Sequence, residues 1–129
     1  ILKANKLKKK FSLGDNKNKI NFESFEVKHG RINSVAYIFN KIAYISDCSY
    51  LSKSNLRKLK NLNILIIDCL RFDDHYSHLT YNKVLEIISL IKPKKTILTN
   101  LNNEIDYNYL LKILPKNIKP AYDGMKFNI

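Results

Sequence analysis

One short apolar run, residues 63–68, constrains the fold of this chain more than any other feature. It reads "NILIID" and is almost continuously apolar, which is typical of a strand covered on both faces. The next apolar run, "KTILT" at 95–99, reads as another strand. Between them the apolar residues of "YNKVLEIISLIK" recur at helical spacing, after the capping residue Thr80 and before Pro93. This alternation of strand and helix predicts an α/β fold.

A second constraint comes from two apolar segments that only two residues separate. "VAYIF" and "IAYIS" flank residues 40–41, and so short a connection predicts a β-hairpin. The connection also fixes the register, in which Ser34 lies opposite Asp47. We therefore expect Asp47 to lie at the same end of the hairpin as His29.

The other predicted elements are shorter. They are a strand over 20–27, a short helix capped by Ser52 or Ser54, a helix that begins after Asp106 and ends at Pro115, and a closing strand, a tight turn at Asp123-Gly124 and a final edge strand. The chain shows no internal repeat and no glycine-rich phosphate loop.

Length and charge limit the class of protein. At 129 residues the chain suits one domain, and its formal net charge is +12. The charge alone suggests a polyanion partner such as nucleic acid. The positive residues are almost all lysine, however, and Arg31, Arg57 and Arg71 are the three arginines. Because phosphate and base recognition favours arginine, a solvated lysine surface is the better interpretation.

The sequence predicts a cytoplasmic protein with reduced cysteines and no membrane partner. The N-terminal "ILKANKLKKK" lacks the apolar region of a signal peptide, and no stretch approaches the length of a membrane span. Cys48 and Cys69 have no metal-finger spacing, and each follows an aspartate that ends an apolar run. We interpret both as buried thiols.

Polar side chains collect where the predicted strands end, a common place for functional groups in α/β sheets. The candidates are His29, Asp47, Asp68, His75, His78 and Asn100. Imidazoles with a carboxylate form the ligand set of zinc, manganese or iron. Spacing alone leaves other roles open, since His29 also suits a hydrogen-bonded turn and Asp68 a buried, hydrogen-bonded carboxylate.

Longer stretches carry a family resemblance. The order "KHGRINSVAYIFNKIAYISDCSYLS", "LNILIIDCLRFDDHYSHLTYNKVLEIISLIKPKKTILTN" and "DYNYLLKILPKNIKPAYDGMKFNI" resembles the C-terminal half of metallo-β-lactamase-fold hydrolases. Within that family, the sequence resembles the branch of phosphoribosyl cyclic phosphodiesterases. The resemblance implies half of an αββα sandwich over residues 1–129, a mixed sheet with helices on one face. The missing N-terminal half, which carries the family's HxHxDH motif, is an expected partner.

The resemblance also implies roles for single residues. The family's site holds two divalent metals, Mn or Zn. His29 matches a histidine ligand of one metal, and Asp47 matches the aspartate that bridges both. His78, in "SHLT", matches a catalytic histidine that contacts the phosphate or protonates the leaving oxygen, while His75 receives no role. A small phosphorylated substrate is the expected ligand.

One segment departs from the family pattern. "LTNLNNEIDY" holds Asn100, Asn102 and Asn103 where family members carry at least one histidine that binds metal. Since His29 and Asp47 alone are too few ligands, we expect the isolated chain to be inactive and to leave one apolar sheet face uncovered. Three functions remain open: a metal-dependent phosphodiesterase, a pseudoenzyme or binding domain that has lost its metal centre, and a basic nucleic-acid-binding domain.

Overall fold

A computed structural model describes residues 6–127 of the chain. The strands are β1 (Lys10–Leu13), β2 (Ile20–His29), β3 (Ile32–Phe39), β4 (Ile42–Ile45), β5 (Ile64–Asp68), β6 (Lys95–Thr99) and β7 (Ile118–Pro120). The helices are α1 (Lys53–Lys58), α2 (Tyr81–Ile91) and α3 (Tyr107–Ile113). The strands form one sheet in chain order, antiparallel from β1 to β4 and parallel from β4 to β7. The predicted α/β class and mixed sheet are confirmed.

The β3–β4 hairpin forms with the predicted two-residue turn. Phe39 pairs with Ile42, and both residues between them have a positive φ, 46° at Asn40 and 61° at Lys41. This is the backbone of a type I′ turn, whose twist matches that of the flanking strands. Beyond the paired residues, the Ser34 hydroxyl donates a hydrogen bond to the Asp47 carbonyl, so the predicted register is confirmed.

Two helices cover one face of the sheet. The apolar face of α2 lies in the main core, with all four predicted positions buried: Val84, Ile87, Ile88 and Ile91. They join Leu65 and Ile67 of β5 and Leu98 of β6 in the same buried cluster. Leu59, which caps the C-terminus of α1, is also fully buried there. This packing fixes the positions of β4, β5 and β6 relative to each other.

The opposite face of the sheet is also apolar but less completely covered. Ile42, Ile64 and Ile97 form a smaller buried cluster there, and Met125 and Phe127 of the C-terminal segment pack against it. A row of rings extends this apolar surface over the first strands, with Phe22 lying 5.1 Å from Phe11 and 4.9 Å from Phe39 between ring centroids. Leu13, Ile20 and Tyr44 remain exposed.

The predicted helix caps are confirmed for two helices. Ser52 caps α1 in a reciprocal capping box with Asn55. The Asp106 carboxylate caps α3 by accepting a hydrogen bond from the Tyr109 amide at 2.6 Å. Thr80 stands at the N-cap position of α2, but its side chain makes no cap hydrogen bond. That part of the prediction is wrong. At this end of α2 the Tyr81 amide donates to the Arg71 carbonyl.

A second correction concerns the C-terminus. The turn at 123–124 forms, but residues 125–127 are not in a strand, and 128–129 lie outside the described residues. The predicted edge strand is therefore wrong over 125–127. These residues turn over the sheet, where Met125 and Phe127 bury apolar surface against Ile42, Ile64 and Ile97.

Both cysteines are free and buried, as predicted. Burial raises the pKa of the Cys48 thiol and of the Cys69 thiol to about 12, so neither is a thiolate near neutral pH. In residues 6–127 no helix has the length and apolarity needed to cross a membrane.

The hairpin turn yields a stability prediction. The left-handed backbone of Lys41 is sterically unfavourable for a residue with a Cβ atom, whereas glycine adopts it without steric cost. We expect Lys41→Gly to raise the free energy of unfolding by about 0.5–1 kcal/mol, measured by urea denaturation of the full-length protein. Lys60 is exposed and has no positive φ, so Lys60→Gly is the matched control and should lower the stability. Equal effects of the two variants would contradict the turn geometry.

Candidate metal centre

Three side chains from different parts of the sequence meet at one edge of the sheet. His29 ends β2, Asp47 follows β4 by two residues, and His78 lies in the loop between β5 and α2. Because β2 and β4 run in the same direction on either side of β3, their C-terminal ends share that edge. One ligand atom from each side chain lies within 4.8 Å of the other two. The sequence predicts that His29, Asp47, His75 and His78 converge, and the structure brings together His29, Asp47 and His78.

A backbone carbonyl orients His29. The Nδ1 atom of His29 lies 2.7 Å from the Ser77 carbonyl oxygen, and this contact requires that Nδ1 carry the proton and donate it. The other ring nitrogen, Nε2, is then free to act as a ligand. The ring packs edge-on against His78, with 4.6 Å between ring centroids.

Gly30 allows this close approach. Its φ is +60°, and a Cβ at this position would lie 3.1 Å from the Ser77 Cβ and 3.2 Å from the Tyr76 ring. A larger residue would therefore be strained in its backbone and would push the 75–78 loop away from His29. The "HG" pair thus combines a candidate ligand, His29, with the space that the 75–78 loop needs.

Asp47 has one carboxylate oxygen tied to its neighbour. The Ser46 hydroxyl donates to Asp47 Oδ2 at 2.8 Å. The backbone of Asp47 is held by Ser34, so the side chain projects from a fixed point at the edge of the sheet. A half-buried carboxylate in this position can offer oxygen ligands to a divalent cation.

Asp68 is fully buried and organises the site from behind. Its Oδ2 atom accepts hydrogen bonds from the Cys48 amide at 3.0 Å, the Leu79 amide at 3.3 Å and His78 Nδ1 at 2.9 Å. Burial raises the pKa of the Asp68 carboxyl, while the hydrogen bonds from Cys48, His78 and Asn100 oppose the rise. The interpretation of Asp68 as a buried, hydrogen-bonded carboxylate is correct.

His78 is consequently oriented in the same way as His29. Its Nδ1 donates to Asp68, its side chain is 15% exposed, and Nε2 is the nitrogen left for the site. Histidines that bind metals commonly donate the other ring N–H to a carboxylate or a backbone carbonyl. The structure shows both kinds of partner, Asp68 for His78 and the Ser77 carbonyl for His29.

Of the three asparagines, Asn100 is the one that lies in the site. Its backbone is left-handed, with φ at 62°, and its Nδ2 donates to Asp68 Oδ1 at 3.0 Å. The same nitrogen lies 3.4 Å from the Ser46 carbonyl and 3.2 Å from His78 Nδ1. Asn102 instead shapes the following loop by accepting from the Glu104 amide, and Asn103 is exposed.

His75 lies beside the centre without joining it. Its ring is tilted against His78, with 5.2 Å between centroids, and its Nδ1 accepts from the Ser77 amide at 3.3 Å. Desolvation and the neighbouring His78 lower the pKa of His75. His75 therefore packs against His78 and supplies no ligand atom to the cluster of His29, Asp47 and His78.

The donor set suits a transition metal. Two imidazoles and one carboxylate, each held by a hydrogen bond, are the groups that zinc and manganese bind. Even if His78 is counted with His29 and Asp47, these donors are fewer than the four to six that such metals take, so the described residues alone do not complete a coordination shell. Sequence reasoning missed the contributions of Ser46 and the Ser77 carbonyl. A carbonyl is common to every residue, so no sequence signal identifies the second of these.

The sequence is similar to a known protein family and to a known protein. The Beta-lactamase superfamily domain matches residues 2–99. An octanoyltransferase of Porphyromonas gingivalis (strain ATCC BAA-308 / W83) is 27% identical over 106 residues, which are 81% of this chain and 22% of that protein.

Solved structures share the fold. A diphosphatase from the PhnP family superposes with a TM-score of 0.82 at 29% identity, over 85% of this chain and 44% of that one. Human tRNase Z, short form, superposes with a TM-score of 0.63 at 20% identity, over 91% of this chain and 46% of that one. The second likeness shows the fold alone.

The chain therefore spans less than half of the length of these relatives. The family match covers most of the chain, and the observed sheet, the helices on one face and the His–Asp cluster agree with it. The chain belongs to the beta-lactamase superfamily and has the fold of the metallo-β-lactamase proteins.

Proposed function

We propose that the protein containing this chain is a metal-dependent hydrolase that cleaves a phosphodiester bond. The observation that carries the proposal is the cluster of His29, Asp47 and His78, whose ligand atoms lie within 4.8 Å of one another. The chain is 29% identical to a diphosphatase, and this similarity supports a reaction at phosphorus. The likeness to tRNase Z supports the fold in which such a site is built.

In this proposal His29 and Asp47 hold a divalent metal, Mn or Zn. When bound, the metal activates water and neutralises charge on the phosphate. The chain's own contribution is orientation, since the Ser77 carbonyl fixes the His29 ring and Ser46 fixes one oxygen of Asp47. The remaining ligands are proposed to come from an HxHxDH segment in a missing N-terminal half of the domain.

His78 has a different proposed role, to hold a proton at Nε2 and give it to the leaving oxygen. Asp68 anchors Nδ1 at 2.9 Å and stabilises the charge of the imidazolium before transfer. Asn100 also donates to Asp68 and so helps to fix the carboxylate that positions His78. The substrate is proposed to be small and phosphorylated.

A second candidate is a pseudoenzyme or binding domain, and the observation that favours it is Asn100. This amide lies in the site, 3.2 Å from His78 Nδ1, in the segment where family members carry a metal-binding histidine. An amide is a weaker ligand for zinc than an imidazole. In this alternative the fold persists while the metal centre has lost its function.

Metal content and turnover separate the two candidates. We expect the full-length protein to hold bound Mn or Zn by mass spectrometry and to hydrolyse bis(p-nitrophenyl) phosphate when loaded with metal. Asp47→Asn should lower both metal content and turnover, since it removes a charged ligand. Asp73 is an exposed acid outside the cluster, and Asp73→Asn should change neither. A folded wild-type protein without metal or turnover would establish the pseudoenzyme.

The role of His78 predicts a specific kinetic pattern. We expect His78→Ala to lower kcat about 10²-fold for a phosphodiester with an alkyl leaving group, because general acid catalysis contributes about that much. The loss should be much smaller for a p-nitrophenyl leaving group, which departs without a proton. Metal content should stay at the wild-type value. A loss of metal in this variant would make His78 a ligand and refute the acid role.

The position of Asn100 predicts a gain of function. We expect Asn100→His to tighten Zn binding about tenfold or more, measured by competition with a chromogenic chelator, because it places an imidazole in the site. Asn103 is exposed and makes no contact with the cluster in the described residues, so Asn103→His is the matched control. Tighter binding by the control and not by Asn100→His would show that position 103 holds the missing ligand.

A further inference from the structure

A cavity opens beside the metal centre, one residue from His29. It has a volume of about 580 Å³ and is lined by Gly30, Arg31 and Tyr76. The cavity is shallow and open to solvent, so it suits a ligand that rests against its lining residues. None of its lining residues belongs to the cluster of His29, Asp47 and His78.

Tyr76 presents an aromatic face that is unusually open. The residue is 80% exposed, yet its ring is supported by its neighbours. One edge packs on Gly30, where a Cβ would lie 3.2 Å from the ring. His75 lies tilted by 33° against Tyr76, with 5.0 Å between centroids. An exposed ring that is braced on one side is suited to stacking a planar ligand on the other.

A row of three rings joins this cavity to the metal centre. His78 contacts His75 at 5.2 Å between centroids, and His75 contacts Tyr76 at 5.0 Å. A ligand that has its phosphorus at His78 would therefore extend along the row towards Tyr76.

Arg31 supplies a free cation at the same cavity. Among residues 6–127 no carboxylate pairs with Arg31. Arg71 is different, since it donates to the Asp74 carbonyl at 2.8 Å and lies 3.9 Å from Glu104. A guanidinium binds phosphate oxygens through parallel hydrogen bonds, so Arg31 is available to an anionic ligand.

We propose that Tyr76 and Arg31 form a nucleotide subsite, in which the base stacks on Tyr76 and Arg31 pairs with a phosphate oxygen. The inference rests on the proposed function for the position of the scissile ester at His29, Asp47 and His78. It narrows the substrate from a phosphodiester to a nucleotide. In this subsite Tyr76 determines the preference for a base, Arg31 adds affinity for the phosphate, and neither takes part in the cleavage.

Binding to the full-length, metal-loaded protein tests the subsite without turnover. We expect calorimetry to show that AMP binds about 5- to 100-fold more tightly than ribose 5-phosphate, because stacking of one base contributes about that factor. Tyr76→Ala should abolish this preference and Tyr76→Phe should keep it. Tyr122 is an exposed tyrosine outside the cavity, and Tyr122→Ala should behave as wild type.

Replacing Arg31 is expected to change ligand binding in a different way from replacing Tyr76. Arg31→Gln should weaken AMP and ribose 5-phosphate by the same factor, about tenfold, because it removes a phosphate contact and leaves the stacking surface. Circular dichroism of each variant checks that the fold is intact. Loss of AMP binding alone in Arg31→Gln would contradict its assignment to phosphate.

Three results would overturn the nucleotide subsite: no preference for AMP in the wild-type protein, a preference that survives Tyr76→Ala, or phenyl phosphate binding as tightly as AMP. The last would indicate a general aryl site. Failure of the proposed function would give a different result from failure of the subsite. A Tyr76-dependent preference for AMP in a protein that hydrolyses no phosphodiester would uphold the subsite and refute the hydrolase.

Discussion

The hydrogen bonds that converge on Asp68 hold the candidate site together. This buried carboxylate accepts from the Cys48 amide after β4, from His78 and the Leu79 amide in the loop after β5, and from Asn100 after β6. It therefore ties together the ends of three neighbouring parallel strands. A buried carboxylate deprived of such partners is strongly unfavourable, and so the loops that carry the functional groups are fixed by the cost of breaking this network.

Local rules predicted much of the fold. The two-residue connection at 40–41 allows one register, and that register was enough to bring Asp47 to the end of β2 where His29 lies. The 3.6-residue spacing of Val84, Ile87 and Ile88 identified the buried face of α2. These features could be predicted because each depends on residues that are close in sequence.

Features that depend on distant contacts were harder to predict. The loop after β5 has no periodicity, so a buried, hydrogen-bonded Asp68 was predicted only as one role among several, and His78, ten residues away, was not identified as its partner. Which of the asparagines enters the site depends on the left-handed backbone of Asn100, and the sequence does not encode that conformation visibly. Thr80 shows the same limit, since it occupies the N-cap position and pairs with Arg71 through its backbone, while its side chain makes no cap hydrogen bond.

The central claim is that His29 and Asp47 bind a metal. His78 lies beside this metal and is held in place by Asp68. The most direct measurement is anomalous X-ray diffraction from crystals of the full-length protein grown with Zn. The account predicts an anomalous peak about 2.0–2.2 Å from His29 Nε2 and from an Asp47 carboxylate oxygen. A Zn peak that contacts neither residue, or a fully ordered site with no peak at saturating Zn, would contradict it.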